Sequence, residues 1–248
     1  MKKNDLQTKL ELGVSTDINP KTPSIGYTIK AMSNLFYELI LIADINTGNI
    51  VYLSINSQLN KRLAMYQLEK RTLQYFVETI APEHIGQFRT ILSIIKDSYG
   101  STVTEERNNI IYTTDLHVTL NDKHEMATFR MSPLVEDEDG NLSQMIFAIG
   151  FSATKQKGII METNIERSQR RIFDLMVGEW QEFKVPVLTP IETAVLSCSA
   201  QGLSVPEIAE TLNRAVDTIK SARKRIFKKL KVDNITRAII VAIDYKLI

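Results

Sequence analysis

Two helix-start signals lie close together near the carboxyl end of the 248-residue chain. The segments TPIE at 189–192 and SVPE at 204–207 each place a hydroxyl side chain before a helix, a proline in its first turn, and a glutamate that can hydrogen-bond back to the capping residue. Gly202 favours a helix end between them, because glycine readily adopts the left-handed backbone conformation. The two helices are therefore joined by a short turn, which predicts a helix-turn unit.

A third helix is predicted to begin near Val216 and to have an apolar and a cationic side. Ile219, Ile226 and Leu230 fall within about 20° of one another on a helical projection, which defines the side that faces the core. On the opposite side lie Asp217, Lys220, Ser221, Lys224 and Lys228, with Arg225 at one edge. A helix of this size and charge suits the major groove of double-stranded DNA. A solvated surface helix would explain the charge, but not the helix-turn unit that precedes it.

A fourth helix is predicted from about residue 234 to residue 245, and it is more apolar than one interface requires. Ala238, Ile239 and Ala242 can face the small core of this segment. Ile240, Val241 and Leu247 then lie on another side. This second apolar side predicts dimerisation, so that two recognition helices would be presented to DNA half-sites about one helical turn apart.

Many residues of this segment resemble, in order and spacing, the LuxR-type (NarL/FixJ-like) helix-turn-helix domain. They are Leu188, Thr189, Glu192, Val195, Leu196, Gly202, Leu203, Ser204, Glu207, Ile208, Ala209, Leu212, Thr218, Ile219, Lys220, Ile226, Lys229, Leu230, Val232 and Ala238. The resemblance implies a four-helix DNA-binding domain over 188–248, whose third helix enters the major groove and whose fourth helix dimerises. It implies base-facing positions for Lys220, Ser221 and Lys224, with Thr218 near a phosphate. With the charged edge of the helix, the predicted DNA-binding set is Thr218, Lys220, Ser221, Lys224, Arg225 and Lys228.

The segment also departs from the family pattern at several positions. Ala215 stands where serine usually caps the recognition helix, which leaves Asp217 as the acid near its positive end. Ala222 stands where histidine is common, and Ile191 and Ile235 replace frequent arginines. These changes leave the fold expectation intact and alter the expected set of DNA contacts.

The preceding residues predict an antiparallel sheet with helices on one face. Strand patterns at 39–44 and 49–55 surround a turn, helical patterns follow near 57–65 and 83–96, and strand patterns recur at 110–120, 125–135 and 144–151. This order resembles the PAS fold over about residues 30–154. Asp44, Gly48, Ile50 and Asn56 are similar to a residue series around that family's first hairpin, and the segment APEH at 81–84 is similar to the start of its longer helix.

The remaining segments complete the predicted organisation as an α+β chain. Residues 1–29 are polar and are interpreted as an N-terminal tail. Ile165, Ile172, Leu175 and Met176 recur at helical spacing, which predicts a helical linker over 155–187 between the PAS-like domain at 30–154 and the helix-turn-helix domain.

No catalytic residues and no metal site are predicted. Cys198 is the single cysteine, and His84, His117 and His124 have no metal-ligand spacing around them. The sequence contains no phosphate-binding glycine loop and no serine-nucleophile elbow, so an enzyme is not expected. The sequence indicates no cofactor.

The predicted function is sequence-specific binding of double-stranded DNA by a transcriptional regulator that a PAS-like domain modulates. The resemblance to PAS domains allows a small-molecule ligand in that domain, and a homodimer is expected. The alternative is a signal-sensing or protein-interaction module whose helix-turn-helix docks a protein partner. The chain has no stretch approaching the ~20 apolar residues that span a bilayer, and its single cysteine favours a reducing compartment, so a cytoplasmic location is expected.

Overall fold

The computed structural model describes Leu35 and residues 38–53, 72–120, 123–152 and 158–248. Within these residues the chain forms two compact units, one that ends at Glu182 and one that begins at Phe183. The first is an antiparallel sheet with helices and the second is helical, which confirms the predicted α+β class. The predicted tail at 1–29, the predicted helix near 57–65 and Asn56 lie outside the described residues.

Eight strands of the described residues form one sheet in the first unit. They are β1 (Leu39–Asp44), β2 (Ile50–Leu53), β3 (Ile110–Leu120), β4 (Lys123–Glu136), β5 (Leu142–Phe151), β6 (Ile159–Asn164), β7 (Gln169–Asp174) and β8 (Glu179–Glu182). Neighbouring strands pair antiparallel in the order β2-β1-β5-β4-β3-β6-β7-β8. The predicted order of two strands, helices and three strands is confirmed for β1 to β5.

Helices connect β2 to β3 and bury one face of the sheet. Helix α1 (Leu73–Ile80) leads through a short 3-10 turn into α2 (Ile85–Gly100). Phe88, Ile91 and Ile95 recur at helical spacing on α2, and the structure buries all three. The ring of Phe88 lies 6.0 Å from that of Phe129 and 6.4 Å from that of Phe147, centroid to centroid, so α2 packs on strands β4 and β5.

The β1–β2 turn is held by one aspartate. The carboxylate of Asp44 accepts hydrogen bonds from the backbone N–H groups of Asn46 and Thr47 at 2.9 and 2.8 Å. The hydrogen bond from Thr47 is the main reason that the pKa of Asp44 lies below its ordinary value. Gly48 then takes a positive φ of 74°, which side-chain-bearing residues seldom adopt. Lys96 of α2 donates to the Asn46 side chain at 2.8 Å and fixes this turn against the helix.

The predicted helical linker is wrong over its described part, because residues 159–182 form strands β6, β7 and β8. Burial alternates along β6, the pattern of a strand with one face toward a core. The helical spacing of apolar residues that suggested a linker is fortuitous, since Met176 is 93% exposed at the β7–β8 turn. Gly178 in that turn has a φ of 80°, and Ser168 takes the same left-handed conformation between β6 and β7. These two turns fold the segment into hairpins.

A buried polar cluster joins the added strands to α2. Glu162 of β6 accepts hydrogen bonds from the Arg171 guanidinium of β7 at 2.6 and 2.8 Å, and it also accepts from the Ser98 hydroxyl of α2. Arg171 donates to the Ser98 hydroxyl at 2.7 Å and lies 4.5 Å from the centre of the Trp180 ring. Burying a carboxylate is costly unless it is paired. We call these four residues the Glu162 cluster; it fixes β6, β7 and β8 to the rest of the sheet unit.

The second unit contains four helices among its described residues: α3 (Pro190–Ala200), α4 (Val205–Thr211), α5 (Val216–Leu230) and α6 (Ile235–Asp244). Their positions agree with the four helices predicted from the sequence. Apolar side chains from all four form one small core. The members buried most deeply are Val195, Leu196, Ile208, Ile219, Ala222, Ile226, Ala238 and Ala242.

Replacing Arg171 by methionine tests the Glu162 cluster. The substitution leaves the Glu162 carboxylate buried without its guanidinium. We expect the free energy of unfolding of the sheet unit to fall by about 2 to 3 kcal/mol, the lower part of the range for a broken buried ion pair, because the Arg171 side chain keeps 38% of its exposure. Urea unfolding followed by the fluorescence of Trp180, the single tryptophan of the chain, measures this change.

The matched control is Arg167→Met. Arg167 pairs with Glu106 at 2.6 Å on the surface of the same unit, and exposed pairs contribute less than about 1 kcal/mol. Equal effects of the two substitutions would contradict a special role for the buried cluster.

Candidate nucleic-acid interface

The helix-turn unit begins and ends where its capping residues predict. The Thr189 hydroxyl accepts a hydrogen bond from the Glu192 backbone N–H at 3.4 Å, and the Glu192 carboxylate accepts from the Thr189 N–H at 2.8 Å. Helix α3 ends before Gly202, whose φ is 89°. At the start of α4, the carboxylate of Glu207 accepts from the Ser204 N–H at 2.8 Å and from its hydroxyl at 2.6 Å. Both pairs satisfy backbone N–H groups that a helix end leaves without partners.

Helix α5 buries one side and exposes the other. Ile219, Ile226 and Leu230 are buried as their spacing predicts, and Ala222 is buried with them. Ala215 precedes the helix and provides no side-chain cap, as its residue type predicts. The helix ends at Lys231, which has a left-handed backbone and whose N–H donates to the Phe227 carbonyl.

All six residues predicted to contact DNA lie on the exposed side of α5. They are Thr218, Lys220, Ser221, Lys224, Arg225 and Lys228. The structure therefore brings the predicted set together on one surface. We call this surface the cationic face of α5.

A buried carboxylate lies beneath one edge of this face, and sequence reasoning missed its partners. The Glu192 side chain is 1% exposed. It accepts from Lys229 Nζ at 2.7 Å and from Arg225 Nε at 3.3 Å, and both partners belong to α5. Lys229 also donates to the Val187 carbonyl at 3.0 Å. The sequence signal available was a basic pair four residues apart on α5, but nothing in the sequence identifies the element that pairs with it.

The same hydrogen bonds keep Glu192 ionised. Burial by itself raises the pKa of a carboxyl group, but the hydrogen bonds from Lys229 and Thr189 outweigh it and lower the pKa of Glu192 to about 2. The carboxylate thus joins the start of α3 to the C-terminal half of α5. It also constrains Arg225, whose Nε faces the protein while half of its side chain stays exposed.

One acid stands on the cationic face. Asp217, in the first turn of α5, is 92% exposed, and its carboxylate lies 3.4 Å from the Lys220 ammonium. An acid in this turn interacts favourably with the positive end of the helix. The expectation that Asp217 compensates for the missing cap at Ala215 stays a prediction, since no side chain hydrogen-bonds to the helix at that cap position.

The outer side of α6 differs from the prediction. Val241 is wrongly assigned to it, because Val241 is buried in the core between Ala238 and Ala242. The buried residues of α6 recur at spacings of three and four along the helix. Ile240 and Ile243 therefore lie on its outer side, where they are 39% and 57% exposed. Leu247 is half-buried against the core, because the chain bends back after α6 and its N–H donates to the Ala242 carbonyl.

The described residues contain neither a metal-binding cluster nor a membrane-spanning helix. No group of three histidine, cysteine or carboxylate side chains in this part of the chain is arranged to hold a metal ion. No helix in the same residues is both long and apolar enough to cross a membrane.

Residues 186–242 match the family model described as "Bacterial regulatory proteins, luxR family". This match confirms the predicted resemblance of the C-terminal residues to LuxR-type domains, and the helical unit is a domain of that type. Comparison with curated protein sequences gives no match.

Solved structures similar to this chain include VqmA complexes and PAS domains. A phage VqmA–DPO complex is 18% identical, with 90% of each chain covered and a TM-score of 0.33. A Vibrio cholerae VqmA–ligand–DNA complex is 14% identical, with 88% of this chain and 87% of that chain covered and a TM-score of 0.36. The PAS domain of Bordetella pertussis BvgS is 15% identical, with 52% of this chain and 87% of that chain covered and a TM-score of 0.35.

Acidification of a fragment that begins at Phe183 tests the Glu192 ion pairs. The folded-state pKa of Glu192 is about 2, against an ordinary value of 4.5, so the unfolded fragment binds the proton more tightly. Stability from the bonds to the Glu192 carboxylate, those of Thr189 as well as those of Lys229, is present above about pH 5 and is lost as the pH falls toward 2, a total of about 3 kcal/mol. Urea titrations at several pH values, followed by helical circular dichroism, measure this loss.

Glu192→Gln should lower the stability at neutral pH and remove this part of the acid dependence. Glu207→Gln is the matched control, because Glu207 occupies the same capping position in α4 without a lysine or arginine partner. Its effect should be smaller. An unchanged acid dependence in the Glu192 variant would show that other groups cause it.

Proposed function

We propose that this chain is a transcriptional regulator that binds double-stranded DNA in a sequence-specific manner through α5. The observation that carries the proposal is the cationic face of α5, which is exposed opposite a buried apolar stripe in a luxR-type domain. Such a surface, preceded by a helix-turn unit, is the arrangement by which helix-turn-helix proteins enter DNA. Function in the cytoplasm follows from this proposal, since bacterial DNA lies there.

The dimensions of α5 support this assignment. The helix has 15 residues, and at about 1.5 Å per residue it is about 22 Å long. Its diameter with side chains, about 10 to 12 Å, fits a major groove about 12 Å wide. No core side chain needs to move for the helix to enter the groove, because the cationic face is already exposed.

The six exposed residues are assigned separate roles. Lys220, Ser221 and Lys224 face the bases, and a lysine in the major groove donates most favourably to guanine O6 and N7. Thr218, Arg225 and Lys228 contact phosphates and supply most of the affinity. Arg225 can also serve as a fixed contact, because Glu192 holds its Nε and leaves the outer part of the guanidinium exposed.

Dimerisation is assigned to the outer side of α6, with a corrected set of residues. Ile240 and Ile243 are both exposed and lie one turn apart, so they can pack against the same residues of a second copy. Leu247 is half-buried against the core of the helical unit, and Val241 is excluded by its burial. The sheet unit receives the regulatory input, as its resemblance to PAS domains suggests, and a small-molecule ligand there is the simplest form of that input. The proposal includes no enzymatic step.

Lysine substitutions on α5 separate base contacts from phosphate contacts. Lys224→Ala should weaken binding to a selected duplex by about 1 to 3 kcal/mol and relax the preference at one base pair. Lys228→Ala should weaken binding to all duplexes equally and reduce the slope of log K against log salt by about 0.9. Fluorescence anisotropy of the full chain with selected and random duplexes, over a range of salt concentrations, measures both effects.

Lys184→Ala is the matched control, because Lys184 is exposed in the same unit but lies outside α5. It should leave both quantities unchanged. If the wild-type chain bound duplex DNA without salt dependence, or if both α5 variants bound as the wild type does, DNA binding through α5 would be wrong. Docking of a protein partner would then be the better explanation for the exposed helix.

Charge substitutions on α6 test the dimer. Ile240→Glu and Ile243→Glu each introduce a carboxylate at the centre of the proposed contact, so we expect a monomer in sedimentation velocity experiments. Val103→Glu, on an exposed apolar residue of the sheet unit, is the control and should not change the sedimentation coefficient. Dimers that persist in both α6 variants would locate the contact elsewhere in the chain.

A further inference from the structure

Asp217 is an acidic residue on the otherwise basic cationic face of α5. It is the single acid among residues 214–231, which otherwise carry eight basic side chains. Its side chain is 92% exposed and projects into the same sector of α5 as Lys224 and Lys228. A carboxylate in this sector would approach the DNA phosphates and repel them.

Interaction with the helix end does not explain this position. The positive end of α5 favours an acid in its first turn, but it does not require the acid to be on the side that faces DNA. An acid in place of Val216 would interact with the same helix end from nearer the margin of the face. The cost to phosphate binding therefore calls for a compensating contact within the groove.

The geometry with Lys220 supplies such a contact. The carboxylate and the ammonium lie 3.4 Å apart, and both groups are mostly exposed. Together they present a hydrogen-bond acceptor beside a donor. The major-groove edge of a G·C base pair presents the complementary arrangement, with the N4 amino group of cytosine as donor beside O6 and N7 of guanine as acceptors.

We propose that Asp217 and Lys220 act together to recognise one G·C base pair. Asp217 accepts a hydrogen bond from cytosine N4, and Lys220 donates to guanine O6 and N7. An A·T pair in the same register fits less well, because thymine O4, an acceptor, replaces cytosine N4 beside the carboxylate, and adenine N6, a donor, replaces guanine O6 beside the ammonium. A pair in the opposite orientation exchanges the positions of donor and acceptors. This inference rests on the proposed function and adds to it a determinant of base specificity.

The proposed contact also explains how an acid can lie on a face that binds phosphates. In a complex with the wrong sequence, the carboxylate has no donor in the groove and only repels the phosphates. In a complex with the right sequence, it is paired with an amino group. Asp217 thus weakens binding to random DNA more than binding to the correct site, which is how a repulsive group increases specificity.

The test uses the full chain and a pool of random-sequence DNA duplexes, with the bound duplexes sequenced at a fixed salt concentration. The wild-type chain should select a G·C pair at one position. Asp217→Ala should reduce that preference by about tenfold, leaving the weaker preference for guanine that Lys220 has alone, and should bind random duplexes more tightly. Asp217→Asn should shift the preference at the same position toward A·T, because asparagine pairs with N6 and N7 of adenine. The melting temperature of each variant confirms that the helical unit is folded.

Two further variants complete the experiment. Lys220→Ala should lose the preference at the same base pair, and the double variant should lose less than the sum of the two single effects, since each side chain positions the other at one base pair. Asp233→Asn is the control, because Asp233 is an exposed acid that pairs with Arg237 outside α5. It should leave the selected sequences unchanged.

The outcomes distinguish this inference from the proposed function. If the wild-type chain selects a sequence and Asp217→Ala selects the same one with the same strength of preference, recognition by the pair is overturned while DNA binding stands. The same conclusion follows if Asp217 and Lys220 affect different base pairs. If the wild-type chain binds no duplex, the proposed function fails and this inference fails with it.

Discussion

The buried Glu192 carboxylate is the constraint on which the arrangement of the helical unit depends. It completes the cap of α3 through Thr189 and pairs with Lys229 and Arg225 of α5. A charge in this position is stable only while its partners stay in place, because removing one leaves an uncompensated ion in the core. The apolar stripe of α5 determines which side of the helix is buried, and Glu192 adds a directional contact that limits rotation and sliding. The orientation of the cationic face follows from both.

The sheet unit also contains a buried carboxylate that is paired with a cation. Glu162 is buried between α2 and β7, where Ser98 and Arg171 hydrogen-bond to it. In each unit a carboxylate joins elements that are distant in sequence, and in each the partner is a cation with an aliphatic stem that packs at the margin of the core. These contacts are directional, which apolar packing is not, so they specify one relative position of the joined elements.

Local signals predicted the helical unit well and the end of the sheet unit poorly. The capping residues Thr189 and Ser204, together with Gly202, define helix ends through contacts within a few residues, and such contacts are visible in sequence. Strands β6 and β7 depend on partners across the sheet, and their hairpins close through Ser168 and Gly178 in left-handed conformations. A helical period among Ile172, Leu175 and Met176 was a weaker signal than those turns. On α6, Val241 is buried in the core beside the small residues Ala238 and Ala242. The spacing of the apolar residues alone did not predict this burial.

The contact between Lys229 and the Val187 carbonyl has a mechanical consequence. Val187 belongs to the connection that leaves the sheet unit after β8 and enters α3 at Thr189. A single ammonium group bridges this connection and the buried Glu192 carboxylate. Tension applied to the connection therefore reaches the C-terminal half of α5 directly, without first passing along α3. A displacement of Val187 would therefore disturb the Lys229–Glu192 contact as well as the start of α3, because one ammonium group binds both oxygens.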